Sequence, residues 1–240
     1  MSNPVFFLEH SARKGELVLL PEETSRHIAG ALRMKEGESL SLTDGKGGVY
    51  IAKIAAVHKK KCEVVIESED FQERPKGNTA IAISLLKNAS RFEWFLEKAT
   101  ELGVSSIVPL LCSRTERQHF RLDRMKNILI SAMIQSLQHW LPDLHEPVSF
   151  PDFWKLPQSS GDKNLIAHCE PGEKMPLYEV SINRNEAAII LIGPEGDFTP
   201  GEIDEALQHN YLPVTLGATR LRTETAGVAA ATILTIGRKS

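Results

Sequence analysis

A run of apolar residues, Ala187-Ala-Ile-Ile-Leu-Ile192, passes directly into Gly193-Pro-Glu-Gly196. Further on, Pro213-Val-Thr-Leu216 passes into Gly217 and then Leu221-Arg-Thr-Glu-Thr-Ala226. Short apolar runs bounded by turn residues are the pattern of buried strands. Glycine is tolerated where the backbone takes positive φ or must let another group come close. Two such exits predict an α/β sheet with a ligand crevice at the carboxyl ends of its strands, built largely of backbone. The plain alternative for Gly193-Pro-Glu-Gly196 is a turn that merely precedes a helix. In the second segment, Arg222 and Glu224 stand where an apolar strand meets an Ala-rich, buried helix. Charges in such a place are paired or functional, so the choice lies between an Arg222–Glu224 ion pair and a working site.

The remainder of the chain frames these two exits. With 240 residues and 42% apolar content, it can bury the core of one large or two small domains. A polar stretch with Pro75 and Gly77, Phe71-Gln-Glu-Arg-Pro-Lys-Gly-Asn78, reads as a linker, separating residues 1–72 from residues 76–240. Ahead of it lie β-like runs at 16–20, 39–43, 48–57 and 62–67, with the turn Asp44-Gly-Lys-Gly-Gly48, which predict a small barrel or sandwich. One helix is expected over 25–34. Behind the linker the pattern alternates, with strands expected at 80–86, 107–111, 165–168, 187–192 and 214–216. Helices are expected from a capping box at Ser90-Arg-Phe-Glu93 to Gly103, from Asp123 onward, from Thr199-Pro-Gly-Glu202, and over 223–236. The Asp123 helix would bury Met125, Ile128, Leu129, Ala132, Met133, Ser136, Leu137 and Trp140. Alternating β and α units imply a mostly parallel sheet covered on both faces.

Several chemistries find no support. Dinucleotide and P-loop glycine motifs are absent, as are a Gly-x-Ser-x-Gly elbow and metal-ligand spacings. The three cysteines, Cys62, Cys112 and Cys169, are far apart and odd in number, which argues against a disulfide framework or structural zinc and for a reducing compartment. With neither a signal-peptide pattern nor a membrane-length apolar run, a soluble cytoplasmic chain with no membrane or metal partner is expected. The formal charge of −3 neither favours nor excludes nucleic acid, because patches make that contact. Two basic clusters stand out: His58-Lys-Lys-Lys61, and Arg114, Arg117, Arg121, Arg124 and Lys126 against Glu116 and Asp123. Solvated charged faces are the plain alternative for both.

The residues resemble a known family. Ile192-Gly-Pro-Glu-Gly196 with Thr199-x-x-Glu202, Leu216-Gly217 and Leu221-Arg-Thr-Glu-Thr-Ala226 are similar to the signature of the small-subunit ribosomal RNA uridine-N3 methyltransferases, of the knotted SPOUT class. The resemblance continues through His27-Ile-Ala-Gly-Ala-Leu-Arg-Met34 with Gly37, and through Lys87, Glu97-Lys-Ala-Thr-Glu-Leu-Gly-Val104, Ile107-Val-Pro109 and Arg114. It implies a PUA-like, RNA-binding β-barrel over 1–72 and a SPOUT-type α/β trefoil-knot domain over 76–240, acting as a homodimer. The reaction implied is methylation of uridine N3 in 16S ribosomal RNA, naked or in the assembled subunit, with S-adenosyl-L-methionine as donor. His168, Ile192, Gly193, Pro194, Glu195 and Gly196 would form one part of the donor site. Leu216, Gly217, Leu221, Arg222, Thr223 and Glu224 would form the other, although His168 fits a core histidine equally well. Arg222 and Arg114 are the catalytic candidates, since a guanidinium can aim and stabilise a uridine anion. Arg33, Lys59, Lys60, Lys61, Arg114 and Arg117 are the candidates for RNA contact. The chain departs from the family pattern in three places: at Asp197, where glycine is usual; at Ala218-Thr219, which delays a basic residue to Arg220; and at Ile134-Gln-Ser-Leu-Gln138, which lacks an acid and an arginine. The rival readings are a knotted methyltransferase for another RNA or for a 2′-hydroxyl, and a non-catalytic RNA-binding protein.

Overall fold

In the computed structural model, which describes residues 3–116 and 119–238, alternation of buried side chains sets up the first sheet. Strands β1 (Val5–Phe7), β2 (Leu17–Leu19), β3 (Ser39–Thr43), β4 (Gly48–His58) and β5 (Lys61–Phe71) pair in the order β1-β3-β4-β5-β2. Only β1 and β3 run parallel. Register shifts at Ile51/Ala52 and Ile54/Ala56 raise the local twist and help wrap the sheet around Phe6, Ile28, Leu40, Leu42, Ile54, Val64 and Ile66. The helix expected over 25–34 begins earlier, as α1 (Glu22–Arg26), and continues as a π turn over His27–Ala31. Ser25 explains the shift. Its hydroxyl points inward, donating to the Leu20 carbonyl and accepting from the Cys62 amide, so it cannot open the helix.

The chain divides into two units, Met1–Arg74 with Met133–Leu141, and Pro75–Ala132 with Pro142–Ser240. In the first, the Asp44–Gly48 turn receives the segment around Trp140. The Gly47 amide donates to the His139 carbonyl at 2.8 Å, and the Leu141 amide to the Gly45 carbonyl at 2.8 Å. A side chain on Gly47, which has φ +92°, would lie 2.6 Å from the Gln72 carbonyl, so only glycine fits.

In the second unit, β6 (Thr79–Ser84), β7 (Ser106–Leu111), β8 (Asp143–Leu144), β10 (Lys163–Ala167), β11 (Met175–Pro176), β12 (Ala188–Ile192) and β13 (Leu212–Thr215) form a sheet ordered β11-β13-β10-β12-β6-β7-β8. Strand β9 (Val148–Ser149) lies beside β7, and every pairing is parallel. Ile189 and Leu191 face a core with Phe150 and Phe153 of α4 (Phe150–Phe153) and Ile203 and Ala206 of α5 (Pro200–Gln208). The opposite face carries α2 (Ala89–Glu101) and α6 (Thr223–Ile236), which cross where Gly227 meets Phe95 and Ile83. The predicted box at Thr199 and Glu202 caps α5. Helix α2 is capped instead by Asn88, whose side-chain oxygen accepts from the Ser90 amide. Helix α3 (Leu122–Gln135) starts one residue before Asp123. It ends with Leu137 at φ +56° and the Gln138 amide donating to the Met133 carbonyl, a left-handed cap that leaves Leu137 65% exposed rather than buried.

From β13 the chain returns to β6 as α6. The Thr79 hydroxyl donates to the Leu234 carbonyl, and Arg238 donates to the carbonyls of Asn183, Glu186 and Asn78. The terminal segment is thus held between β6 and the connection that precedes β12. This is the SPOUT-type α/β arrangement expected from the sequence. Among the described residues no helix is long and apolar enough to cross a membrane.

Candidate active site

Strands β13, β10 and β12 are neighbours, and the last residue of each, Thr215, Ala167 and Ile192, lines a cleft of about 510 Å³. This is the carboxyl edge of a parallel sheet, where such folds bind ligands. The amino end of α6 opens on the same space through Arg222, Thr223 and Ala226. Arg222 is its N-cap residue and supplies no side-chain hydrogen bond. The helix therefore presents amide groups and the positive end of its dipole.

One wall is the turn after β12, and it is tied on several sides. The Asp197 amide closes it on the Pro194 carbonyl at 2.9 Å. Arg114 donates to the carbonyls of Gly196 (2.7 Å) and Phe198 (3.3 Å), and the Lys87 amide donates to Glu195 Oε1 at 3.2 Å. Arg220 reaches the Glu195 carbonyl at 3.4 Å. Asp197 has φ +66°, a region where aspartate is among the few side chains tolerated. Its carboxylate accepts from the Phe198 amide (2.8 Å) and the Cys169 amide (2.7 Å). A Cβ on Gly193 would lie 3.1 Å from the buried Phe198. Glycine there makes room for Phe198 and also lines the cleft.

The opposite wall, Leu216–Leu221, is held at fewer points, one of them the Arg220 bond to Glu195. Gly217 takes φ +137°, Thr215 Oγ1 bonds the Gly217 backbone, and residues 217–220 are exposed. At the third strand end, burial and then the Lys174 charge lower the His168 pKa, against the opposing charges of Asp197 and Glu170. Both lowering effects favour the neutral ring. His168 Nδ1 is buried with no partner among the described residues. Lys174 donates to the carbonyls of His168 and Glu170.

The cleft therefore gathers His168, Ile192, Gly193, Pro194, Glu195, Leu216, Gly217, Leu221, Arg222 and Thr223. Gly196 and Glu224 are not in its lining. Gly196 faces Arg114, and Glu224 is buried with an oxygen 3.6 Å from Arg91 Nε. The Arg222–Glu224 pair considered from sequence does not form: Arg222 is the extended N-cap of α6, and residues two apart at a helix start do not face each other. Arg222 is exposed and, among the described residues, makes no side-chain hydrogen bond or ion pair. Arg114, read as catalytic, lies outside the lining with its guanidinium on the turn's carbonyls. Sequence reasoning missed Asp197, Arg220, Lys174 and Cys169, which also line the cleft. The delayed basic residue, Arg220, was a usable signal; Lys174 and Cys169 carried none.

In the N-terminal unit, Arg33 and Lys59 line a groove of about 630 Å³ with Arg26, His58, Ala29, Gly30, Met34 and Val57. No acid lines it. Lys60 and Lys61 instead approach Glu22 (3.6 Å) and Glu63 (2.9 Å). In the other basic cluster, Arg124 binds Glu93 through two donors at 2.6 and 2.9 Å, and Arg117 lies outside the described residues.

Comparison with known proteins bears on this geometry. Residues 72–235 match the model of an RNA methyltransferase domain, and residues 20–67 that of an RNA methyltransferase PUA domain. The chain is 30% identical to the ribosomal RNA small subunit methyltransferase E of Synechocystis sp., over 89% of this chain and 71% of that protein. Its structure resembles a probable rRNA-methyltransferase from Porphyromonas gingivalis (TM-score 0.89, 32% identity, 98% of both chains). It also resembles the ribosomal RNA small subunit methyltransferase E from Neisseria gonorrhoeae, solved bound to S-adenosyl methionine (TM-score 0.84, 31% identity, 98% of both chains). With the family model covering the sheet, both cleft walls and α6, the chain belongs to the RNA methyltransferase family that includes the ribosomal RNA small subunit methyltransferases E.

Proposed function

We propose that the protein transfers a methyl group from S-adenosyl-L-methionine to N3 of a uridine in 16S ribosomal RNA, in the cytoplasm. The observation that carries this reading is the unpaired Arg222 guanidinium at the amino end of α6, facing a cleft made of strand ends. The residues present fit the donor. The cleft lies in the size range of small-molecule sites, and Ile192, Val214, Leu216 and Leu221 offer apolar wall for a ring system. The backbone of two turns offers hydrogen-bonding groups, and the α6 amides suit a carboxylate. When bound, the donor supplies an already activated methyl carbon.

The protein's part is then aim and electrostatics. Uridine N3 must lose a proton, and the resulting negative charge spreads over the ring carbonyl oxygens. Arg222 supplies fixed planar donors to that charge, and the helix end adds to the same field. The neutral His168 ring, short of a partner at Nδ1, sits at the cleft as a hydrogen-bonding group rather than a second cation. RNA binding is assigned to Arg33 and Lys59 in the residues 1–72 domain, where basic side chains can neutralise phosphates. Lys60 and Lys61 contribute less because acids already face them. Val228, Ala229, Ile233 and Ile236 leave an apolar strip partly uncovered on α6, which supports a homodimer.

Titration calorimetry with S-adenosyl-L-methionine, followed by methyl transfer to small-subunit ribosomal RNA and mapping of the modified base, tests the reading. Donor binding and a single N3-methyluridine are expected. Absence of donor binding would leave an RNA-binding protein, and methylation of a ribose hydroxyl would point to the other branch of the class.

A further inference from the structure

We propose that Asp197 is a donor-positioning residue, a carboxylate that fixes the separation of two cleft walls; the proposal rests on the methyltransferase reading above. Asp197 stands in the turn after β12, lines the cleft, and takes φ +66°. Its two carboxylate oxygens are divided between two loops. Oδ1 accepts from the amide of Phe198 in its own turn, at 2.8 Å. Oδ2 accepts from the amide of Cys169, in the loop leaving β10, at 2.7 Å. Strands β10 and β12 are adjacent and parallel, so their exits would otherwise be joined only through the sheet beneath them.

The tie differs in kind from the others on this turn. Arg114 and Lys87 hold the turn from the β7 and β6 sides, away from the cleft; Arg220 reaches it from the β13 side through one long bond of 3.4 Å; the Asp197 carboxylate, in the cleft lining with Cys169, joins it to the β10 loop at 2.7 Å. Charge-assisted bonds to backbone amides are about twice as strong as neutral ones, and neither amide is left to compete for ligand. A glycine at this place would adopt the same φ but would release both amides and free the β10 loop, which also carries His168 and Lys174. The aspartate therefore does two separable things: it accepts a left-handed backbone, and it joins two walls.

Asp197→Gly separates them, because it keeps the backbone conformation and removes the bridge. The expected result is a folded protein whose donor Kd and donor KM rise about tenfold, while kcat at saturating donor stays within twofold of the parent. The Cys169 amide, whose bond to Asp197 is lost, should exchange with deuterium at least tenfold faster than in the parent. Asp197→Asn, which tolerates the same φ and retains one acceptor oxygen, should recover part of the donor affinity. A parent protein that binds no donor would sink the methyltransferase reading itself. A parent that binds donor, with Asp197→Gly binding it equally well, would overturn only the positioning role. A fall in kcat with unchanged donor KM would overturn it too, placing Asp197 in the chemical step.

Discussion

The two turns that close the cleft come from the same kind of sequence, an apolar strand running into glycine, yet they are built differently. The turn after β12 is held by Arg114, Lys87, Arg220 and the Asp197 carboxylate, and it packs on the buried ring of Phe198. The segment after β13 is held at fewer points, by the Thr215 hydroxyl and by the Arg220 bond to the Glu195 carbonyl at 3.4 Å, with a glycine at φ +137° and residues 217–220 exposed. The first is a preformed shelf. The second is exposed and has fewer internal bonds, and it leads directly into Arg222. Binding surface that is rigid in advance loses less entropy on association, while a guanidinium aimed at charge that develops only in the transition state acts on the rate. We therefore assign affinity mainly to the first wall and turnover mainly to the second.

The sharpest way to break this division is Arg222→Lys. Lysine keeps the charge but loses the planar fork. Turnover at saturating donor should fall on the order of a hundredfold, the loss associated with one oxyanion donor, with donor affinity nearly unchanged. Single-turnover methyl transfer and calorimetry on the same variant would check it. Lost donor binding with an intact rate would move Arg222 to the affinity side.

Gly193→Val tests the shelf. The added Cβ would meet the Phe198 amide and ring at 3.1 Å, in a core too dense to absorb it. The turn should shift, weakening donor binding by at least about tenfold, or 1.4 kcal/mol, and lowering the melting temperature. An unchanged Kd in a folded variant would remove the shelf from the donor site.

Arg114→Ala tests the same wall more gently. Two charge-assisted bonds to the Gly196 and Phe198 carbonyls disappear, but the side chain is largely exposed, so a loss of about 1 kcal/mol is expected. Donor Kd should rise several-fold while kcat holds. A fall in kcat would restore the catalytic role first read from the sequence.

The place of Arg114 shows where sequence was sufficient. The strands, both glycine exits and the Thr199 cap were legible because hydrophobic period and capping chemistry are local. The direction of a side chain at a helix start is not. Glu224 turns to Arg91, and Arg114 crosses to a turn far along the chain; nothing in their neighbours encodes either contact. Asp197 shows the intermediate case. It was visible as a departure from glycine, but the reason it is permitted, a left-handed backbone with both oxygens occupied, appears only when β10 is placed beside β12. Leu137 likewise looked like the buried face of α3, until the helix ended two residues before it.

The smallest effect expected comes from a second carboxylate-held turn, which serves as a control on the first. Asp44 is buried, and burial alone would raise its pKa; hydrogen bonds from the Lys46 amide, Ser11, the Gly48 amide and Tyr50 outweigh it and leave the pKa below the ordinary carboxylate value. A group depressed in this way stabilises the folded state fully above its unfolded pKa of about 3.9. That contribution is lost as pH falls through the lower, folded value. Between pH 7 and pH 5 the Asp44 contribution should stay constant; below about pH 4 the gap in melting temperature between the parent and Asp44→Asn should narrow. Because Asp44 braces the N-terminal unit only, donor affinity at pH 7 should be the same for both proteins. Weakened donor binding by Asp44→Asn would mean that carboxylate-held turns act on the cleft from outside it, and that the contrast between its two walls is not local.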